Sequence, residues 1–194
     1  MKFIGDLSCQ DALLLERYAR KADSILEFGV GGSTQIIAQS LGTKAVFTSI
    51  DTDPAWIVRT QDALQKLDVA ARCNFTLYEN WQPVGQYDLV FDDGADELRA
   101  SFATQAFQSL SIGGVILFHD TRRYRDVRNV LNLIDRFFEE IDEVRFNEAV
   151  DGVSSNITVV RKKKREPYVD WNIAEGRPAW AYGHAPVPED FWGK

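Results

Sequence analysis

The chain has 194 residues, enough for one domain with a buried core and no need of disulfides or a structural metal. Apolar residues at 45% and charged residues at 26% exclude wholesale disorder, and a net charge of −7 argues against general nucleic-acid affinity, which rests on excess Lys and Arg. Cys9 and Cys73 lack zinc-type spacing, the first residues lack a secretory pattern, and no apolar run approaches the ~18 residues of a membrane span, so a reducing, cytoplasmic setting is expected.

Ser8 and Asp11 mark a helix start, with Ala12, Leu15, Ala19 and Ala22 at helical spacing, expected to pack on the edge of the domain. Residues 24–28 read as a short buried strand that runs into Gly29-Val30-Gly31-Gly32-Ser33-Thr34. A helix follows over residues 33–41, with Ser33 as its cap, Ile36, Ile37 and Leu41 facing the sheet and Gly42 at its end. Residues 45–50 form the second strand, and Asp53 with Pro54 is a strong helix start for a stripe of Ile57, Leu64 and Leu67.

A third strand is expected over residues 73–78 and a fourth over 87–91, the latter ending at Asp92-Asp93-Gly94. Phe102, Ala103, Ala106, Phe107 and Leu110 follow at helical spacing, and Gly113-Gly114 breaks the chain before a fifth strand, 115–118, closed by His119-Asp120-Thr121. Val127, Val130, Leu131, Ile134, Phe137 and Ile141 give the next helix its apolar face. Residues 144–149 and 156–160 can pair as a late hairpin around Asp151-Gly152. Periodicity ends at Arg161, which divides a domain of residues 1–161 from an arm of residues 162–194. That arm holds a basic run, Lys162 to Arg165, then three of the five tryptophans and four of the six prolines, which suits packing against the domain or a partner better than a free linker.

Strand and helix alternating in this way predict an α/β fold, a doubly wound and mostly parallel sheet with helices on both faces. Ligands of such sheets sit beyond the carboxyl ends of the strands, near the switch point. The residues delivered there are polar and acidic: Gly29 to Ser33, Asp51, Glu79 with Asn80, Asp92 with Asp93, and His119 with Asp120 and Thr121. Buried charges cost several kcal/mol unless paired or solvated, so this rim reads as a ligand site, with ordinary helix caps as the alternative. Asp51, about 20 residues past the glycine turn, suits two hydrogen bonds to ribose hydroxyls. The turn lacks the third glycine of a dinucleotide fingerprint, and Glu27 just before it would repel a diphosphate while suiting an ammonium group. Glu27 could equally pair with a nearby Arg or Lys.

Four stretches in order, residues 27–33, Asp51, residues 87–94 and residues 110–120, resemble the class I S-adenosylmethionine (SAM)-dependent methyltransferases. The resemblance spans roughly residues 8 to 161 and implies a Rossmann-like, seven-stranded sheet with an antiparallel last strand. It implies that Gly29, Gly31 and Gly32 border the methionine part of SAM with Glu27 beneath it and Ser33 and Asp93 beside it. Asp51 would take the ribose, and Asn80 with Trp81 would lie near the adenine.

Asp93-Gly94-Ala95-Asp96 is most similar to the small-molecule O-methyltransferase branch, with Asp96 in place of a histidine common there. Some members of the branch hold a divalent metal with the strand-four aspartate and an aspartate-asparagine pair after strand five. Asp93 and Asp120 match, but Thr121 replaces the asparagine, which counts against magnesium, although two or three hard oxygen ligands suffice for it with waters. His119 and Asp120 could act as base and orienter, or Asp93 as base. Adjacent strand residues point to opposite faces, which weakens a direct His119–Asp120 pair, and His119 could instead be a satisfied core residue.

The expected function is SAM-dependent methylation of a small molecule on oxygen. No nucleic acid or membrane is involved, and the C-terminal arm covers the substrate or holds a homodimer. An NAD(P)-dependent oxidoreductase and a non-catalytic binding module are the rivals, the former weakened because Arg128 stands where the lysine of a tyrosine-lysine pair with Tyr124 would be.

Overall fold

The computed structural model describes residues 5, 7–83 and 85–163. The elements follow in the order α1 (Cys9–Ala19), β1 (Ser24–Phe28), α2 (Gly32–Ser40), β2 (Val46–Asp51), α3 (Pro54–Lys66), β3 (Asn74–Leu77), β4 (Tyr87–Asp92), α4 (Arg99–Gln108), β5 (Leu110–Phe118), α5 (Tyr124–Phe137), β6 (Ile141–Arg145), β7 (Ala149–Val150), β8 (Val153–Ser154) and β9 (Thr158–Lys162). Seven strands make one sheet in the order β3-β2-β1-β4-β5-β9-β6, and β7 with β8 is a separate small hairpin. β1 to β5 pair in parallel, and β9 runs antiparallel to both β5 and β6. The expected Rossmann-like sheet with one antiparallel late strand is therefore present. The antiparallel strand is last in sequence but sits between β5 and β6.

Alternation along the strands divides the core in two. Ile25, Phe47, Leu89, Phe91, Val115 and Leu117 pack with Leu14, Leu15, Ala19, Ile36, Ile37 and Leu64 of α1, α2 and α3. Leu26, Phe28, Val90, Ile116 and Phe118 pack with Phe102, Ala103, Phe107, Val130 and Leu133 of α4 and α5. α1 is thus part of the core and not an edge helix: Leu14 and Leu15 are fully buried, each contributing roughly 1.5–3 kcal/mol by leaving water.

Several elements begin as expected. Ser8 and Asp11 form a reciprocal capping box on α1, and Asp53 caps α3, accepting from the Ala55 N–H, with Pro54 at the first helical position. Other expectations need correction. α2 is capped by Gly31, not Ser33; the Thr34 hydroxyl accepts from the Gly31 N–H at 2.8 Å and so satisfies the turn without a cap side chain.

Leu67 lies past the end of α3 and is exposed; Thr60 takes the buried place between Ile57 and Leu64. Gly113 and Gly114 do not precede β5 but lie inside it, at a register shift against β4, and Leu110 belongs to this strand and not to α4. On α5, Leu133 is buried and Leu131 exposed, and Ile141 opens β6. The late pairing is β6 with β9, while Asp151-Gly152, both at positive φ, turn the small β7–β8 hairpin. β9 runs to Lys162, whose ammonium donates to the carbonyls of Phe107 and Leu110. The aromatic arm lies outside the described residues.

Candidate functional site

β1 is flanked by β2 on one side and β4 on the other, so the chain leaves it in opposite directions and a crevice opens beyond its carboxyl end. A cleft of about 430 Å³ occupies that place. It is lined by Gly5, Leu7, the turn from Gly29 to Ser33, Asp51 to Asp53, Trp56 and the stretch from Asp93 to Asp96. A larger cavity of about 520 Å³ lies over Gly113 and Gly114; on its wall Glu148 accepts from Arg145 and Tyr18, and Arg161 reaches the Gly113 carbonyl.

Glycine is needed at 29 because of the chain, before any ligand is considered. Its φ is +91°, and a Cβ there would stand 2.5 Å from the Asp93 carbonyl oxygen, so β1 and β4 can close on each other only without a side chain. At Gly31 a Cβ would meet nothing within 4 Å, which leaves the open side of the turn to the cleft. Asp51 braces the turn: its Oδ2 accepts from the Val30 N–H and its Oδ1 from the Asp53 N–H, both at 2.8 Å.

Glu27 is fully buried beneath the turn and does not line the cleft. Its Oε2 accepts from the hydroxyls of Thr34, at 2.7 Å, and Ser49, while Oε1 is buried without a hydrogen-bond partner. Burial lifts its pKa to about 7, against the pull of the Ser33, Ser49 and Thr34 hydroxyls. Ser33 itself lines the cleft. Asn80 is exposed at the end of a 3-10 turn, and Trp81 packs edge-on against Phe28; neither lines the cleft. The aromatic side chain that does is Trp56, 39% exposed in the first turn of α3, with the Arg59 guanidinium 4.9 Å from its ring centre.

Asp93, His119 and Asp120 do come together, but inside a network of ion pairs that includes a buried arginine. Arg99, 7% exposed, donates to the Gly94 carbonyl, reaches Asp93 Oδ1 at 2.7 Å and Asp126 Oδ1 at 3.2 Å, and lies 3.6 Å from both Asp120 and Asp96. Arg123 pairs with Asp120 and Asp126. His119, 3% exposed, sits between Asp93, 3.0 Å from Nδ1, and Asp11 of α1, 3.5 Å from Nε2. Burial alone would push its pKa down, but Asp11 and Asp93 outweigh that and lift it to about 10. His119 does not line the cleft.

The rule that neighbours in a strand face opposite ways does not apply to Asp120. It follows β5 with φ of 60°, which brings its carboxylate to 3.7 Å from His119 Nδ1, held by an N–H of the Asn156 amide. Asp92 faces the α4 side, buried with Oδ1 unpartnered, and burial raises its pKa to about 8 despite Arg99.

One ligand atom each from Asp93, His119 and Asp120 lies within 4.8 Å of the others, the spacing of a metal site. The donors do not fit one. The Arg99 guanidinium already holds Asp93 and approaches Asp120, Arg123 takes the same Asp120 oxygen, and a divalent ion would have to displace these cations. Thr121 is turned away, exchanging hydrogen bonds with Asn147 and Thr158.

Four carboxylates, those of Asp51, Asp53, Asp93 and Asp96, line the cleft, and among the described residues no Lys or Arg does. Trp56 and Arg99 escaped the sequence reading. Trp56 carried a signal, an aromatic residue five positions past the acidic end of β2; Arg99 carried none, because its partners come from three separate strand and helix ends.

No family model matches the chain and no curated protein does. Solved structures match over most of its length. The O-methyltransferase TomG of Streptomyces achromogenes, involved in tomaymycin synthesis and solved in complex with SAM, is 16% identical, with a TM-score of 0.65 over 82% of this chain and 83% of its own. An O-methyltransferase of Bacillus cereus in complex with SAH is 14% identical, with a TM-score of 0.65 over 82% and 83%. A SAH-bound methyltransferase of Podospora anserina is 21% identical, with a TM-score of 0.60 over 79% and 78%. The fold is that of the class I SAM-dependent methyltransferases; function has to be argued from the site.

Proposed function

We propose that this protein is a SAM-dependent methyltransferase that acts on oxygen of a small molecule. The observation that carries the reading is the charge of the cleft, four carboxylates against the glycine turn with no Lys or Arg among the described lining residues. SAM brings a sulfonium and an ammonium, which such a wall attracts, whereas the diphosphate of NAD would meet like charge at close range. The glycine turn borders the methionine part, Asp51 takes the ribose, Trp56 offers the adenine a ring to lie against, and Glu27 supports the turn from below. Bound SAM supplies an electrophilic methyl group. The chain binds it, aligns the acceptor and excludes water.

No helix among the described residues is long and apolar enough to cross a membrane. A cytoplasmic setting is part of the proposal, and a net charge of −7 supports a partner other than nucleic acid. The homodimer through residues 162–194 stays part of the proposal. The non-catalytic alternative has one observation in its favour, that Asp93, His119 and Asp120 are all engaged in ion pairs.

Thermal unfolding with SAM, SAH and NAD tests the proposal. SAM and SAH should each raise Tm, and Trp56→Ala should reduce the rise. A rise with NAD alone would end it.

A further inference from the structure

The cleft at the carboxyl ends of the strands and the cavity of about 520 Å³ over Gly113 and Gly114 share no lining residue and carry opposite charge. In a chain with a net charge of −7, the cavity is lined by Arg17, Lys21, Arg145 and Arg161 against only Asp88 and Glu148. It belongs to the other end of the sheet: Asp88 and Leu89 stand near the start of β4, Ala22 precedes β1, and Arg161 of β9 pairs across to Val115.

The two carboxylates of the cavity are already in use. Glu148 accepts from the Tyr18 hydroxyl at 2.9 Å through one oxygen and from Arg145 at 3.1 Å through the other, and Asp88 Oδ2 takes the N–H groups of Asp23 and Ser24 at the entry to β1. Arg145 is spent on Glu143 and Glu148. The other three cations are not. The Lys21 ammonium has no hydrogen bond or ion pair among the described residues. Arg17 has only Asp151, 3.7 Å away with a side chain 84% exposed, a pair worth little in water. Arg161 gives one N–H to the Gly113 carbonyl and lies 3.5 Å from Glu143, which leaves part of its five-donor fork unspent.

The carboxyl end of α1 favours cations, which accounts for Arg17 and Lys21 one by one. It does not account for their meeting Arg161, which comes from the last strand of the sheet. Gly113 and Gly114 are explained by the bulge in β5, since a Cβ at Gly114 would stand 2.9 Å from the Tyr87 carbonyl oxygen, and they carry no part of the argument. Ile112, 51% exposed, gives the cavity an apolar wall beside the cations.

We infer that this cavity is a second ligand site, one that takes a small organic phosphate, with the dianion between Lys21, Arg17 and Arg161 and the apolar body on Ile112. A phosphate monoester brings two negative charges and three acceptor oxygens, which matches the surplus of cations on the wall. The volume falls within the range of about 300–1,000 Å³ of small-molecule sites and leaves room for more than the bare anion.

Calorimetry on the full chain, at about pH 8 and about 0.15 M salt, tests it with phenyl phosphate, inorganic phosphate and phenol. Phenyl phosphate should bind at least about ten-fold more tightly than the other two, and Arg17→Gln/Lys21→Gln should lose at least about ten-fold. Lys44→Gln/Lys66→Gln removes the same charge from exposed positions outside the cavity and should leave the affinity unchanged. All four positions are exposed, and an unaltered Tm shows that both variants fold. No binding of phenyl phosphate, binding no tighter than that of inorganic phosphate or phenol, or an equal loss in the two variants would each overturn the inference. Displacement of phenyl phosphate by SAH would place it in the cleft and overturn it as well.

Discussion

Gly29 and Asp51 carry structural duties that come before any ligand. Gly29 combines a φ of +91° with a backbone contact that admits no Cβ, so Gly29→Ala should cost roughly 1–3 kcal/mol from the backbone alone, read by urea unfolding. Asp92 is buried with an unpartnered oxygen and a pKa raised to about 8, so at neutral pH it is largely an uncharged acid that an amide replaces well. Asp92→Asn should match wild type in stability near pH 3.5, where both folded and unfolded Asp92 are protonated, and exceed it at pH 7; a loss of several kcal/mol at pH 7 would show that the carboxylate is needed. The glycine turn, Asp51 and Asp53 were legible in the sequence because their constraints are local. His119 was legible as a strand-end residue but its approach to Asp11 was not, because Asp11 comes from a helix more than a hundred residues earlier.

At the scale of elements, α4 and α5 show where pattern reading stops. α5 offers Val127, Val130, Leu131, Leu133, Ile134 and Phe137, enough apolar residues for two faces, and the burial of Asp126 against Arg99 selects the one that takes Leu133 in and leaves Leu131 out. Arg99 in turn starts α4 and ties together the ends of β4, β5 and α5 through Asp93, Asp120 and Asp126. Arg99→Ala should therefore cost roughly 3–5 kcal/mol, as expected for stripping the cation from buried carboxylates, with Arg99→Lys in between. Denaturant melts of the two variants check this. β1 and the start of α3 were placed correctly because glycines and Asp53-Pro54 punctuate them; β5 was cut short because Gly113-Gly114, usually a break, is here a bulge within the strand.

For the whole molecule, buried titratable groups shape the response to pH. Glu27, Asp92 and His119 have folded-state pKa values of about 7, about 8 and about 10, above the ordinary 4.5, 3.8 and 6.5, so between each pair of values the folded chain holds more protons than the unfolded one. Stability then falls as pH rises through those windows. Asp11 acts in the opposite sense: burial opposes its ionisation, but His119, Ser8 and Asn156 outweigh that and lower its pKa to about 2, so its contribution is present above 3.8 and lost as pH falls through about 2. Tm should decline steadily from about pH 6 to pH 10, less steeply in His119→Gln; a Tm that rises over that range would contradict the assignment. The sheet, its switch point and the acidic rim were readable from alternation and strand ends. The neutralisation of that rim by arginines was not, since it depends on which strand ends become neighbours.

The central claim is that an acidic cleft braced by Asp51 selects SAM over a diphosphate cofactor, and calorimetric titration of SAH and NAD into wild type and Asp51→Asn tests it most directly. SAH should bind wild type and weaken at least about ten-fold in Asp51→Asn, with no heat from NAD. Binding of NAD in preference to SAH, or SAH affinity indifferent to Asp51, would contradict it.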